Sequence, residues 1–151
     1  MKKKVFTALG IMSGTSMDGV DLSLIKSNGY DEFTTILDKY FEFDKNLQRK
    51  LIVFRDQLNT TNDLEKYSGE LQALEREFTL FHVKILDEIL NNSKHKIDLI
   101  GFHGQTVLHN PEKKISKQIG DGKLLSQLTK KIVINNFRMN DLKKDGQGAP
   151  L

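Results

Sequence analysis

One stretch near the start of the chain, Gly10-Ile-Met-Ser-Gly-Thr-Ser-Met-Asp-Gly-Val-Asp-Leu-Ser-Leu-Ile25, restricts what it can fold into more than any other. An apolar run, Val5 to Ile11, enters a polar turn, and Val20, Leu22 and Leu24 alternate directly after it. Alternation is the mark of a half-buried strand. The stretch therefore predicts strand, turn, strand, with Gly14, Thr15, Ser16, Asp18 and Gly19 at the tip. Glycines permit positive φ and close approach to a ligand. Small hydroxyls and exposed amides suit phosphate oxygens. Asp18 and Asp21 offer the hard oxygens that Mg²⁺ takes, often through water. An ordinary hairpin turn is the plain alternative, but this loop carries more hydroxyls and acids than a turn requires.

The rest of the chain supplies the partners of this hairpin. Ser27-Asn-Gly-Tyr-Asp31 reads as a hairpin connection. It leads to a third strand, Phe33 to Phe43, with Phe33, Thr35, Leu37, Phe41 and Phe43 on one face. Lys45 to Leu58 is helical, with Leu47, Leu51, Phe54 and Leu58 at spacings of three and four. Asn59 to Asn62 breaks that helix, and Asn62 with Glu65 resembles a capping box. One long helix is then expected over about Asp63 to Leu90, carrying an apolar stripe from Leu64 to Ile85. The stripe reads as core packing. A dimerising coiled coil is the alternative, but the stripe is short and lacks paired flanking charges. Further strands are expected at Ile97 to Phe102, Ile115 to Ile119 and Ile132 to Ile134, with a short helix over Lys123 to Leu128. Three antiparallel strands followed by alternating helices and strands give an α/β class with a mixed sheet. This is the order of an actin-like (ribonuclease H-like) ATPase domain.

Composition excludes several function classes. The 151 residues contain no cysteine, so neither a disulfide framework nor thiolate chemistry is available. Net charge is +3, but the lysines are scattered, which does not make a nucleic-acid face. No segment reaches the ~18 consecutive apolar residues of a membrane span. Met1-Lys-Lys-Lys4 opens like a signal peptide. The apolar run behind it is short and interrupted by Thr7, Gly10 and Ser13, so a cytoplasmic start and a first strand are expected.

Chemistry-bearing groups gather after the predicted strands, where binding groups usually sit. His103-Gly-Gln-Thr106 follows a buried strand, and the donors and acceptors of His103 and Gln105 suit sugar hydroxyls and amides. A structural His-Gln pair in a turn is the equal alternative. Gln118-Ile-Gly-Asp121 precedes a helix. Its turn can hold an anion, although Asp121 reads more simply as a helix cap. Arg138 can grip a carboxylate bidentately and Asp141 can accept a sugar hydroxyl, against the alternative of a surface Arg–Asp pair.

Five blocks in order resemble the anhydro-N-acetylmuramic acid kinases. They are Gly10 to Asp21, Gly101-Phe-His-Gly-Gln-Thr106, Gln118 to Asp121, Phe137-Arg138 with Asp141, and Gly146-Gln-Gly-Ala-Pro-Leu151. The resemblance implies a cytoplasmic enzyme of peptidoglycan recycling that uses ATP and Mg²⁺. Such an enzyme opens the anhydro bridge of 1,6-anhydro-N-acetylmuramic acid with water and phosphorylates O6, giving N-acetylmuramic acid 6-phosphate and ADP. It implies ATP binding by Gly14, Thr15, Ser16, Met17, Asp18, Gly19, Val20 and Asp21, with Asp18 a candidate metal ligand through water. It implies sugar contacts from His103, Gln105, Gln118, Arg138 and Asp141.

Two positions depart from the family pattern. Asn136 replaces an Asp before Phe137-Arg138, and Asp145 replaces a Gly before Gly146-Gln-Gly148. Asp145 is a poorer fit if that position needs positive φ. Family members also continue into a second domain. The resemblance puts the general base and most of the adenine pocket beyond Leu151. Residues 1–151 are thus expected to form an N-terminal domain, incomplete at its C-terminal end and inactive alone. The alternative is a non-catalytic remnant or the interaction subunit of a split kinase, completed by a second chain or paired as a homodimer.

Overall fold

The computed structural model describes residues 3–148, so the Ala149-Pro150-Leu151 end of the last family-like block lies outside the described residues. The predicted hairpin forms: β1 (Phe6–Met12) runs antiparallel to β2 (Gly19–Ser27), which pairs antiparallel with β3 (Phe33–Glu42). After the helices α1 (Lys45–Gln57), α2 (Thr61–Lys66) and α3 (Ser68–Asn92), β4 (Leu99–Phe102) lies parallel to β1. β5 (Gln105–Asn110) and β6 (Ile115–Ile119) form a separate antiparallel pair. α4 (Gly122–Thr129) then leads to β7 (Ile132–Asn135), parallel to β4, and α5 (Met139–Lys143) follows. The main sheet is ordered β3-β2-β1-β4-β7. This is the mixed α/β architecture expected from the sequence, with three antiparallel strands and two parallel additions.

The helices cover one sheet face. Leu9 and Ile11 of β1, Val20, Leu22 and Leu24 of β2, and Ile100 and Phe102 of β4 are buried there. Leu47, Leu51 and Phe54 of α1 and Leu74, Phe78, Ile85, Leu86 and Ile89 of α3 complete this core. Asp44 caps α1, its carboxylate accepting from the amides of Asn46 and Leu47 at 2.9 Å. The long apolar stripe is core packing, not a coiled-coil seam.

Four local expectations change. The capping box uses Thr60 and Asp63 rather than Asn62 and Glu65: the Asp63 carboxylate accepts from the Thr60 amide at 2.8 Å. The long helix is broken at Tyr67 and runs on to Asn92. The apolar face expected of β3 holds at its far end, where Leu37 and Phe41 pack against the core and Phe43 is buried, and fails at its start on this edge strand: Phe33 is 73% exposed, and a bulge at Leu24/Ile25 shifts the pairing. No strand is expected over residues 105–110, yet they form β5, with Val107 buried in the core and the segment paired in a hairpin with β6.

Candidate active site

Because β1, β4 and β7 are parallel, the segments that leave them emerge along one edge of the sheet. Ligands in such sheets bind outside the carboxyl ends of the strands. The loop 13–18 follows β1, His103-Gly104 follows β4, and Asn136 to Arg138 follow β7, so three of the motifs share that edge.

The loop is held by its carbonyls. The Gly14 carbonyl accepts from Gln105 Nε2 at 3.0 Å and from the Met17 amide at 3.3 Å. The Thr15 carbonyl accepts from Arg55 of α1 at 3.3 Å, and the Asp18 carbonyl from the Phe43 amide at 2.9 Å. Among the described residues, the amides of Thr15 and Ser16 donate to no protein acceptor. Both residues are exposed, which leaves these two donors available to an anion such as phosphate. The Ser16 hydroxyl donates to Asp18 at 2.5 Å, and that bond holds the Asp18 carboxyl below the usual carboxylate range.

The loop residues divide by burial. Met17 and Val20 are fully buried in the core, so their side chains cannot face a ligand. The left-handed residue is Met17, at φ 55°, and neither Gly14 nor Gly19 has positive φ. Gly19 is required for close packing instead: a Cβ there would run into the Phe41 carbonyl and come within 2.6 Å of the Tyr40 ring. Thr15, Ser16, Asp18 and Asp21 are the exposed members. Among the described residues no group of three or more His, Cys, Asp or Glu forms a metal cage. Such a donor set would fit a Mg²⁺ carried mainly by phosphate oxygens and water, for which Asp18 and Asp21 would be the nearby carboxylates.

A polar cavity of about 320 Å³ lies between β4, β6, β7 and α3. Its lining includes His103 and Gln118, and also Glu75, Lys117, Asn136 and Met139. Gln118 Nε2 donates to Ser116 Oγ at 2.6 Å and to Thr106 Oγ1 at 3.1 Å. Glu75 of α3 accepts from the Gly120 amide at 3.1 Å and from Lys117 Nζ at 3.4 Å. Sequence reasoning missed Glu75 and Lys117. The available signal was an acid at the edge of an apolar helical stripe, one turn before the buried Thr79, whose hydroxyl accepts from the Asp121 amide at 2.9 Å. Asp121 itself is the helix cap that the plainer reading expected, accepting from Lys123 and Leu124 amides at 2.9 Å.

The geometry determines the His103 tautomer. Arg138 Nε lies 3.0 Å from His103 Nε2 and can only donate. Nε2 is therefore the acceptor, and Nδ1 carries the proton given to the Gly104 carbonyl at 2.8 Å. Burial holds the imidazole below its ordinary value; the Gly104 bond opposes this and the Arg138 charge reinforces it. Arg138 Nη1 also donates to the Gly148 carbonyl at 2.9 Å, and Asp141 Oδ2 accepts from the Gly148 amide at 2.7 Å. Arg138 and Asp141 thus do not form the surface pair considered as an alternative; both strap the 146–148 turn onto the site. Gln105 is fully buried and holds Gly14, rather than standing in the cavity.

The two departures from the family pattern both fall on left-handed backbone, Asn136 at φ 61° and Asp145 at φ 64°. Asn and Asp tolerate that conformation better than other side chains with a Cβ. Asp145 also pairs with Lys114 at 2.5 Å.

A family model described as anhydro-N-acetylmuramic acid kinase matches residues 6–151. The chain is 54% identical over 149 residues to an anhydro-N-acetylmuramic acid kinase of Pelagibacter ubique, covering 99% of this chain and 40% of that protein. Proteins of the same name from Agrobacterium fabrum and Rhizobium etli are 38% and 40% identical, each over 154 residues. These alignments cover 98% and 97% of this chain, and 40% of each relative. The chain therefore spans about two fifths of the length of these relatives.

Proposed function

The chain belongs to the anhydro-N-acetylmuramic acid kinase family, and from that membership we propose that it supplies the phosphate loop and one wall of the sugar pocket of such a kinase. The observation that carries this reading is the shared carboxyl edge. The loop after β1, whose Gly14 carbonyl is held by Gln105, and the polar cavity, lined by His103 two residues before Gln105, both belong to that edge. The reaction is transfer of the γ-phosphoryl group of ATP to O6 of 1,6-anhydro-N-acetylmuramic acid as water opens the anhydro bridge. The products are N-acetylmuramic acid 6-phosphate and ADP, in cytoplasmic peptidoglycan recycling. No helix among the described residues is long and apolar enough to cross a membrane.

Each residue then has a task. The outward amides of Thr15 and Ser16 hold phosphate oxygens, with Asp18 kept ionised by Ser16 to meet the hydrated Mg²⁺. Gln118 and Asn136 meet sugar hydroxyls. Two cations can meet a lactyl carboxylate: Lys117, which already pairs with Glu75 at 3.4 Å, and Arg138, which gives Nε to His103 and Nη1 to the Gly148 carbonyl. Arg138 keeps Nη2 and a second Nη1 proton for that carboxylate. Neutral His103 orients Arg138, and Asp141 orients the 146–148 turn. Phosphoryl transfer needs positioned groups on both sides of the phosphoryl group. The remaining three fifths of the family's length is the source proposed for the general base and the adenine pocket.

The test is ADP and sugar-phosphate formation from Mg-ATP and the anhydro sugar. It is run with this chain alone and with the remaining three fifths of the Pelagibacter relative added as a second polypeptide. No turnover alone and turnover on mixing is the expected result. An assembled mixture that leaves ATP and sugar unchanged would overturn it. The open sheet face favours a second reading, in which the chain serves only as an interaction subunit.

A further inference from the structure

Two side chains that do not line the polar cavity bear on the loop's two free donors. A trans peptide unit is planar, so its carbonyl oxygen and its amide hydrogen lie on opposite sides. The carbonyl of one residue therefore sets the direction of the next residue's N–H. Among the described residues no peptide bond is cis. The Gly14 carbonyl and the Thr15 amide share one such plane, and the Thr15 carbonyl and the Ser16 amide share the next.

Each of these carbonyls is taken by a side chain from a different element. Gln105 opens β5, where period-2 alternation puts it on the same inner face as the buried Val107. It is wholly buried, and its Nε2 donates to the Gly14 carbonyl at 3.0 Å. Its Oε1 is buried with no hydrogen-bond partner among the described residues. A half-paired buried amide is costly, and an apolar side chain of similar size would pack without that cost. The donor is thus what the glutamine contributes. Arg55 follows the buried Phe54 on α1, and Asp56 anchors it, Oδ1 accepting from Nε at 2.9 Å. Its Nη1 donates to the Thr15 carbonyl at 3.3 Å. The next amide differs: Met17 donates back to the Gly14 carbonyl at 3.3 Å and closes the turn.

We propose that Gln105 and Arg55 are positioning residues, each acting through one peptide plane: Gln105 aims the Thr15 amide and Arg55 aims the Ser16 amide at phosphate oxygens. The inference rests on the phosphate-loop reading and adds what orients its donors. Both directions are fixed before the phosphate arrives, which spares the loop the cost of ordering on binding.

The test is the direction of the two N–H vectors, read from residual dipolar couplings of the 151-residue chain, followed by titration with Mg-ATP. The variants are Gln105→Met, Arg55→Met and Arg55→Lys. Gln105→Met should turn the Thr15 vector and leave Ser16 in place. Arg55→Met should do the reverse, and Arg55→Lys, which keeps a donor, should restore the Ser16 vector. Mg-ATP binding should weaken about threefold or more in each Met variant. Vectors that neither Met variant moves would overturn the inference. So would both vectors moving together in each variant, the sign of a merely loosened fold, or turned vectors with unchanged Mg-ATP affinity. Arg55 is only half-buried, so its two variants decide the matter if Gln105→Met does not fold. The vectors are read without ligand. Vectors that turn as expected in a chain that ignores Mg-ATP would keep the aiming and strike the phosphate, so the two readings fail separately.

Discussion

The two faces of the one sheet are built differently. On the covered face, Leu9, Val20, Leu22, Ile100 and Phe102 interdigitate with α1 and α3 and are almost wholly buried. On the open face, the residues between them in the same strands are Gly10, Asp21, Ser23 and Gly101, ringed by exposed Met12, Ile132 and Ile134. Period-2 alternation sends successive side chains to opposite faces, so one sequence writes both surfaces at once. The lesson is a division of labour. One face holds the domain together, the other is left open among the described residues, and the candidate chemistry lies along the carboxyl edge where the two meet.

The largest effect should come from the covered face. Phe78→Ala removes a fully buried ring that stacks 6.3 Å from Phe102 and lies 4.3 Å from His82. It should cost about 3–5 kcal/mol in denaturant unfolding. A loss under 1 kcal/mol would erase the contrast between the faces.

Acid should attack the same face next. His82 is buried among Phe43, Phe78 and Phe102, and desolvation pulls its pKa down to about 4 despite its bond to the Phe78 carbonyl. The unfolded chain binds that proton near pH 6.5, before the folded chain does. Its contribution is thus complete above pH 6.5 and declines as pH falls toward 4, by about 3 kcal/mol in all. His82→Leu should flatten that part of the stability-against-pH curve. An unchanged slope would show that other groups set it.

Smaller still is the cap of α1. Asp44→Ala should cost about 1 kcal/mol by freeing the Asn46 and Leu47 amides. The open face should respond least. Ile132→Ser should change stability by no more than about 0.5 kcal/mol. A larger loss would mean that Ile132 is packed in solution and that the face is already covered.

Much of the sheet was legible because alternation and Gly-rich turns are local signals. The hairpin around Gly14 to Gly19 and the capped helix at Asp121 are examples. What escaped was set by tertiary context. Tyr67 breaks the long helix although the apolar spacing runs through it. β5 forms because Val107 reaches the core. Phe33 stands in water because β3 is an edge. In the site, residue types were readable but their duties were not. Gln105 and Arg138 look like ligand groups in the sequence, and their partners 91 and 35 residues away commit them to protein contacts. Positive φ falls on Met17, which carries no glycine signal, and on Asn136 and Asp145, the two positions that depart from the family pattern.

The most direct test of the central claim, that the carboxyl edge binds through outward loop amides, is an amide-resolved NMR titration with Mg-ATP. The account predicts that the Thr15 and Ser16 amide signals move first and furthest. Ser16→Ala, which removes the hydroxyl bond to Asp18, should reduce that movement. Amides on the open face, such as Ile132 and Ile134, should stay still. Signals that shift on the open face, or a folded chain whose loop amides ignore millimolar Mg-ATP, would contradict it.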